Sequence, residues 1–157
     1  MSHELPSMNV RTVEHGDRTE WLRLLRGLYP HHQASEHIAD IDAFLAGQRA
    51  GRPPLAAVFV CTRPGGGLAG LLELSVREYA EGCAGSTPYV ESWFVDRDWR
   101  GRGVGGRLMA AAEAWAREQG HRELASDTLL DNERSLRAHR ALGFEEVERS
   151  IHLRKSL

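Results

Sequence analysis

Only two cysteines, Cys61 and Cys83, occur in 157 residues. That is too few for a disulfide framework, and they are read as free thiols in a reducing compartment. No apolar run reaches the ~18 residues that a membrane-spanning helix requires. The start, MSHELPSMNV, has none of the apolar core of a secretory leader. The chain therefore reads as soluble and cytoplasmic. Charge of one sign is equally scarce, since 20 Lys+Arg oppose 22 Asp+Glu for a net charge of −2. That balance argues against a general polycation for nucleic acid or membrane surfaces. There is no internal repeat, low-complexity tract or linker. What is present is a globular mixture, 41% hydrophobic and 27% charged, in a length that fits one domain, residues 1–157. At this size roughly 68–70% of the unfolded surface can be buried, so no metal or disulfide staple is needed.

Patterning predicts an α+β chain. Met8 to Val13 reads as a first strand. Asp17 is placed to cap a helix whose Trp21, Leu24, Leu25 and Leu28 share one face, and Pro30 ends it. Ser35 is expected to cap a second helix carrying Ile38, Ile41, Phe44 and Leu45, closed near Gly47. His31, His32, Glu36 and His37 match no zinc spacing and read as a solvated loop and helix start. Strands over 55–62 and 68–79 flank Arg63-Pro64-Gly65-Gly66-Gly67, a hairpin signal. Residues 81–87 form a loop, and Tyr89 to Val95 (YVESWFV) is a strand rich in aromatic and β-branched residues. A charged connector over 96–102 leads to a helix from Val104 to Gln119, with Gly120 as its stop. A short strand over 122–126 and a helix capped by Asn132 and closed by Gly143 follow. Val147, Ile151 and Leu153 then alternate as a last strand.

Arg100-Gly101-Arg102-Gly103-Val104-Gly105-Gly106-Arg107 lies between a strand and a helix. Glycines there let backbone amides approach an anion, while the helix N-terminus and three arginines supply positive charge. The chemistry expected is phosphate or pyrophosphate binding. Gly101-x-Gly103-x-x-Gly106 formally fits the dinucleotide fingerprint, but DRDWR separates it from the strand and about fifty residues follow, too few for a doubly wound sheet. No Gly-Lys-Ser/Thr follows, which excludes a Walker A loop. A pyrophosphate-bearing cofactor held at one strand–loop–helix corner remains. In the strand before it, Glu91 stands among apolar and aromatic residues, alternating with Tyr89 and Trp93. Taken alone, a strand glutamate is most often solvated; Asp127 after ELAS fits ordinary turn chemistry.

The strand YVESWFV, Arg100-x-x-Gly103-x-Gly105 opening a helix, Asn132 and Leu142-Gly143-Phe144 together resemble the GNAT superfamily of acyl-CoA N-acyltransferases. Trp21-x-x-Leu-x-x-x-Leu28-Tyr29-Pro30, Tyr89-Val90-Glu91, Glu123-Leu124-Ala125-Ser126-Asp127 and Gly143-Phe144-Glu145-Glu146-x-Glu148-Arg149 resemble its aminoglycoside 6′-N-acetyltransferases. That resemblance covers nearly the whole chain. It implies a GNAT-like mixed, mostly antiparallel sheet flanked by helices, and acetyl-CoA as co-substrate with no metal. The pyrophosphate would sit on Gly101, Arg102, Gly103, Val104, Gly105 and Gly106 beside Arg100. The pantetheine arm would run along the backbone of Trp93, Phe94 and Val95, where a bulge commonly frees an N–H to polarise the thioester carbonyl. Asn132 would contact the cofactor, cap its helix, or do both.

On the acceptor side the resemblance assigns Glu91 and Asp127 to binding and orienting a cationic amine, with proton transfer as a weaker second role. A primary ammonium, with a pKa of about 10.4 by analogy with lysine, must lose a proton before it can attack. Tyr29 and Tyr79 would line the site with aromatic rings, or simply pack. Glu36, Asp40 and Asp42 would add acidic field at its mouth, or lie on a solvated helix face. Glu148 would be offered to a neighbouring subunit of a homodimer, or lie on a solvated strand. His139 stands where many relatives have a tyrosine that protonates the leaving thiolate; it would act as that acid, or pack. The implied activity is acetyl transfer to the 6′-amine of aminoglycosides by direct attack in a ternary complex. A polyamine or peptide amine as acceptor, and a non-catalytic acyl-CoA-binding protein, are the alternatives.

Overall fold

A computed structural model describes residues 8–49, 51 and 53–157. Residues 1–7, on which part of the leader reading rests, lie outside the described residues. Among the described residues five strands form one sheet in sequence order: β1 (Val10–Thr12), β2 (Leu55–Thr62), β3 (Leu68–Arg77), β4 (Thr87–Val95) and β5 (Ala125–Ser126). The first four run antiparallel to their neighbours and β5 is parallel to β4, so the sheet is mixed and mostly antiparallel. Helices α1 (Arg18–Leu28) and α2 (Ala34–Leu45) cover one face and α3 (Val104–Glu118) the other; α4 (Glu133–Ala141) follows β5.

Alternation along the strands builds two cores, as a sheet covered on both faces requires. Ala57, Phe59, Cys61, Leu72 and Leu74 pack against Val104, Leu108 and Ala112 of α3, while Val58, Val60 and Leu71 pack against Trp21, Leu24 and Ile41 of α1 and α2. The glycine hairpin closes through Arg63 N–H to the Gly67 carbonyl at 2.9 Å. Both cysteines are free thiols.

Three local readings are corrected. Asp17 precedes α1, yet its carboxylate takes the Arg11 guanidinium and the Glu14 amide rather than an α1 amide. The N-cap position of α2 is Gln33, which places Ser35 inside the helix. Residues 144–157 form no strand. Val147, Ile151 and Leu153 are 63%, 79% and 91% exposed. A period of two specifies alternating faces but supplies no neighbouring strand to pair with, and the described residues offer that segment none.

Candidate active site

The ladder between β3 and β4 slips once. Glu73 pairs with Ser92 and Leu74 with Val90, which leaves Glu91 as the extra residue of a β-bulge. The slip changes the faces. Val90 and Trp93 both belong to the α3 side, whereas Glu91 and Ser92 stand side by side on the α1–α2 side. Trp93 therefore does not share a face with Glu91, contrary to simple alternation; its indole N–H donates to the Gly105 carbonyl at 3.2 Å. Beyond Val90 no strand flanks the outer edge of β4 among the described residues, because β5 pairs only with Tyr89 and Val90. That open edge is where the resemblance expects an extended pantetheine arm.

At the far end of β4 the chain turns through Gly101 and Gly103, with φ of 75° and 81°. These left-handed values favour glycine. Gly103 is the N-cap of α3 and has no side chain to cap it, so the first amides of the helix, at Val104, Gly105 and Gly106, are available to an anion. An added Cβ at Gly105 would come within 3.2 Å of the Trp93 ring, so the loop approaches β4 closely there. Arg100 donates from Nε to the Val95 carbonyl at 2.8 Å and lies over the Phe94 ring. Burial, then the neighbouring Arg134 and Arg97, depress its guanidinium pKa. Arg102 lies over Trp99. Arg97 and Arg134 thus add to a positive field that motif reading placed on the loop arginines alone.

Near the bulge, a cleft of about 250 Å³ is lined by Tyr29, His37, Asp40, Glu73, Glu91 and Ser92, among others. Tyr29 donates its hydroxyl to the Glu91 carbonyl at 2.8 Å and lies 3.0 Å from Ser92 Oγ. Its ring stacks on His32 at 4.9 Å. The Glu91 carboxylate takes the Ser75 hydroxyl and both forks of Arg77, at 2.9 and 2.8 Å. Arg77 was not singled out from sequence, yet it sits 3.6 Å above the Tyr89 ring, whose hydroxyl donates to Asp127 at 2.7 Å. Glu91 and Asp127 are thus joined through one cation and one phenol. Glu36 also lines the cleft, while Asp42 is held away in a fork with Arg18.

Other expected residues stand outside this cleft. Tyr79 is 72% exposed just beyond β3, and Glu148 is exposed in the irregular tail. Asn132 accepts the Ser135 amide at 3.1 Å, the helix-capping role. His139 is buried, with Nδ1 2.7 Å from the Ser135 carbonyl and Nε2 2.8 Å from Ser126 Oγ. The first contact requires a proton on Nδ1, which leaves Nε2 as acceptor in the neutral ring. Both nitrogens are occupied by protein, and the ring stands edge-on to Trp93 and Phe144.

Glu73 was also missed. Its signal in the sequence is a single carboxylate inside LAGLLELSV, an otherwise apolar and small-residue run. It is 6% exposed, and its Oε2 accepts the Trp21 indole N–H at 2.9 Å. Burial pushes its pKa from the ordinary 4.5 to about 7, against the opposing pull of Ser92 and Trp21. A carboxyl raised in this way binds its proton more tightly in the folded state, so the associated stability is complete below pH 4.5 and is lost as pH rises through about 7. The difference is worth roughly 3 kcal/mol. Urea unfolding of wild type against Glu73→Gln should therefore show the variant gaining relative stability from pH 5 to pH 8.5; parallel curves would refute the shift.

An anion cradle at one end of β4 and an acidic cleft at its bulge describe a group-transfer enzyme, with the strand as the track between donor and acceptor. The chain belongs to the acetyltransferase (GNAT) family, whose profile matches residues 18–144. Aminoglycoside N(6')-acetyltransferase type 1 of Klebsiella aerogenes is 44% identical over 149 residues, 94% of this chain and 96% of that protein. The solved aminoglycoside N-acetyltransferase AAC(6')-Iy in complex with CoA superposes with a TM-score of 0.86 at 33% identity, covering 100% of both chains. AAC(6')-Iy in complex with the bisubstrate analogue CoA-S-monomethyl-acetylneamine gives 0.84 at 34% identity, covering 97% of this chain and 100% of that one.

Proposed function

We propose that this chain transfers the acetyl group of acetyl-CoA to the 6′-amine of aminoglycosides, by direct attack within a ternary complex. The observation that carries the reading is the bulge at Glu91, which sets an acidic cleft beside the open edge of β4 while the glycine turn lies at the other end of the same strand. Acetyl-CoA would place its pyrophosphate on the amides of 101–106 beside Arg100 and Arg102, and its pantetheine along Trp93, Phe94 and Val95. At the bulge a free backbone N–H can polarise the thioester carbonyl, a contribution of roughly 3 kcal/mol. Glu91, Asp127 and Tyr29 then hold the acceptor. The kinship to 6'-acetyltransferases selects aminoglycosides over the other amines that an acidic cleft suits.

The test follows thiol release from acetyl-CoA with an aminoglycoside bearing a 6′-amine, its 6′-hydroxyl analogue, and spermidine. Turnover on the 6′-amino compound alone supports both reaction and position. Turnover on spermidine alone replaces the acceptor. Acetyl-CoA binding with silence on all three favours the binding-protein reading.

The enzyme works in the cytoplasm, the compartment suited to its two free thiols. It does so as a homodimer in which a second copy covers the exposed apolar tail and receives Glu148. Sedimentation should show a dimer for the full chain and a monomer when residues 145–157 are removed. A monomeric full chain would end that reading.

A further inference from the structure

We propose that Glu73 is the proton acceptor for the amine, reached through the hydroxyl of Ser92 and oriented by the indole N–H of Trp21. The inference rests on the amine-acetylation reading above and adds the proton's destination.

The bulge supplies the geometry. Glu73 is the last residue in register before the slip, directly across the sheet from Ser92. It therefore lies beneath the point where β4 opens, and it forms part of the cleft wall beside Glu91 and Ser92. Glu36 and Asp40 reach the cleft from α2 and are exposed to solvent, and the two carboxylates expected to hold the amine are committed. Glu91 is held in the fork of Arg77, and Asp127 accepts the Tyr89 phenol. Glu73 has no cationic partner among the described residues; its fixed donor is a neutral indole. A carboxylate held only by neutral donors in a buried site keeps its affinity for a proton.

Ser92 Oγ lies 3.0 Å from Tyr29 Oη, and Ser92 stands directly across the ladder from Glu73, whose ionised form its hydroxyl favours. A hydroxyl accepts and donates at once, so it can pass a proton from the cleft to the carboxylate behind it. Around the cleft, Tyr29 and His32 follow α1, Glu36, His37 and Asp40 come from α2, and Glu91 from β4. Asp40 and Glu91 raise the proton affinity of Glu73, reinforcing the dominant effect of burial. Burial and then His32 hold His37 below the ordinary histidine value, so it does not compete as a cation at neutral pH.

The step balances as follows. The acceptor R–NH3+ gives one proton through Ser92 to the Glu73 carboxylate, leaving R–NH2. The nitrogen lone pair forms the C–N bond at the thioester carbonyl, and collapse breaks the C–S bond. The second nitrogen proton leaves with the thiolate as CoA thiol. Glu73 then releases its proton to solvent.

The test measures kcat/KM against pH for wild type, Glu73→Gln and Trp21→Phe, with acetyl-CoA affinity and thermal melting in parallel. Glu73→Gln keeps the shape and an acceptor for Trp21, and it should lose about 100-fold in kcat/KM at pH 7.5. Its acetyl-CoA affinity should not change, and its acid limb near pH 7 should vanish. Trp21→Phe keeps the carboxylate but removes its donor, so the limb should move to higher pH. Wild-type rates and an unmoved limb in a folded Glu73→Gln overturn the proposal. If that variant does not fold, an unmoved limb in Trp21→Phe overturns it instead. Should wild type act on spermidine and not on the aminoglycoside, the acceptor assignment fails and the same series on spermidine decides Glu73. A wild type silent on both overturns both readings.

Discussion

Replacing Gly103 by aspartate is expected to weaken acetyl-CoA binding about 100-fold, while asparagine at the same position loses far less. Nothing lies within 4 Å of a Cβ built at Gly103, so crowding is not the obstacle. The backbone is, in part: φ is 81°, and a left-handed conformation costs a residue with a side chain roughly 1–2 kcal/mol, less for Asn and Asp. That penalty is common to both variants and cancels between them. The charge does not cancel. One unit charge about 5 Å from a phosphate costs roughly 3 kcal/mol at an effective dielectric constant of 20. Arg100, Arg102 and Arg134 soften the repulsion without removing it. Calorimetric titration with acetyl-CoA at about 0.1 M and 1 M salt separates the two effects, because the screening length falls from about 10 Å to 3 Å and the Asp–Asn gap must shrink with it. Equal affinities for the two variants at low salt would remove the pyrophosphate from this turn.

Much of this architecture was legible because strong local signals carried it. The Pro-Gly-Gly-Gly hairpin, the glycine stop at Gly120 (φ 85°) and the Asn132 cap each follow from one residue's backbone chemistry. Bounds were less secure: the strand expected over 122–126 shrinks to Ala125–Ser126, because its length depends on how far β4 stays paired with it. Four features resisted for a common reason, namely that each depends on a partner in another element of the fold. Asp17 has the spacing of a cap, but Arg11 from β1 captures it. Trp93 alternates with Glu91 in sequence, but a slip against β3 puts them on opposite faces. Arg77 reads as a charged strand end until the fold brings Glu91 and Tyr89 to it. Glu73 is the instructive case. A lone carboxylate in an apolar run must be buried, and a buried carboxylate must find donors, so the run itself announces a site. What it withholds is the identity of those donors, Trp21 lying 52 positions away. The tail errs in the opposite direction, since alternation at Val147, Ile151 and Leu153 states a preference for a sheet partner that the described residues do not supply.

Glu91→Ala is expected to lower kcat/KM for the amine at least ~100-fold and to leave acetyl-CoA affinity unchanged. The reason lies in the pair it forms with Arg77 rather than in Glu91 alone. An anion facing an ammonium binds it but also raises its pKa, so tight binding opposes the deprotonation that the reaction needs. The Arg77 guanidinium, bidentate to Glu91 and 34% exposed, offsets that anion. It keeps Glu91 oriented while limiting how strongly the ammonium is held in its charged form. Removing Glu91 leaves Arg77 facing the incoming cation without a counter-ion, which turns a mildly attractive site into a repulsive one. Arg77→Met reverses the balance: the amine should bind more tightly, KM falling several-fold, while the acid limb of kcat, where the bound ammonium must lose its proton, moves to higher pH. In the double variant the two changes partly cancel, so its loss should be smaller than that of Glu91→Ala. The cycle is read from kcat, KM and acetyl-CoA Kd for all four proteins across pH 6 to 9. Two results would oppose this account. If Glu91→Ala weakens acetyl-CoA as much as the amine, Glu91 belongs to the cofactor side of the strand. If Arg77→Met raises KM without moving the limb, Arg77 is a strut for Tyr89 and Asp127, and the charge balance at the acceptor amine is set elsewhere.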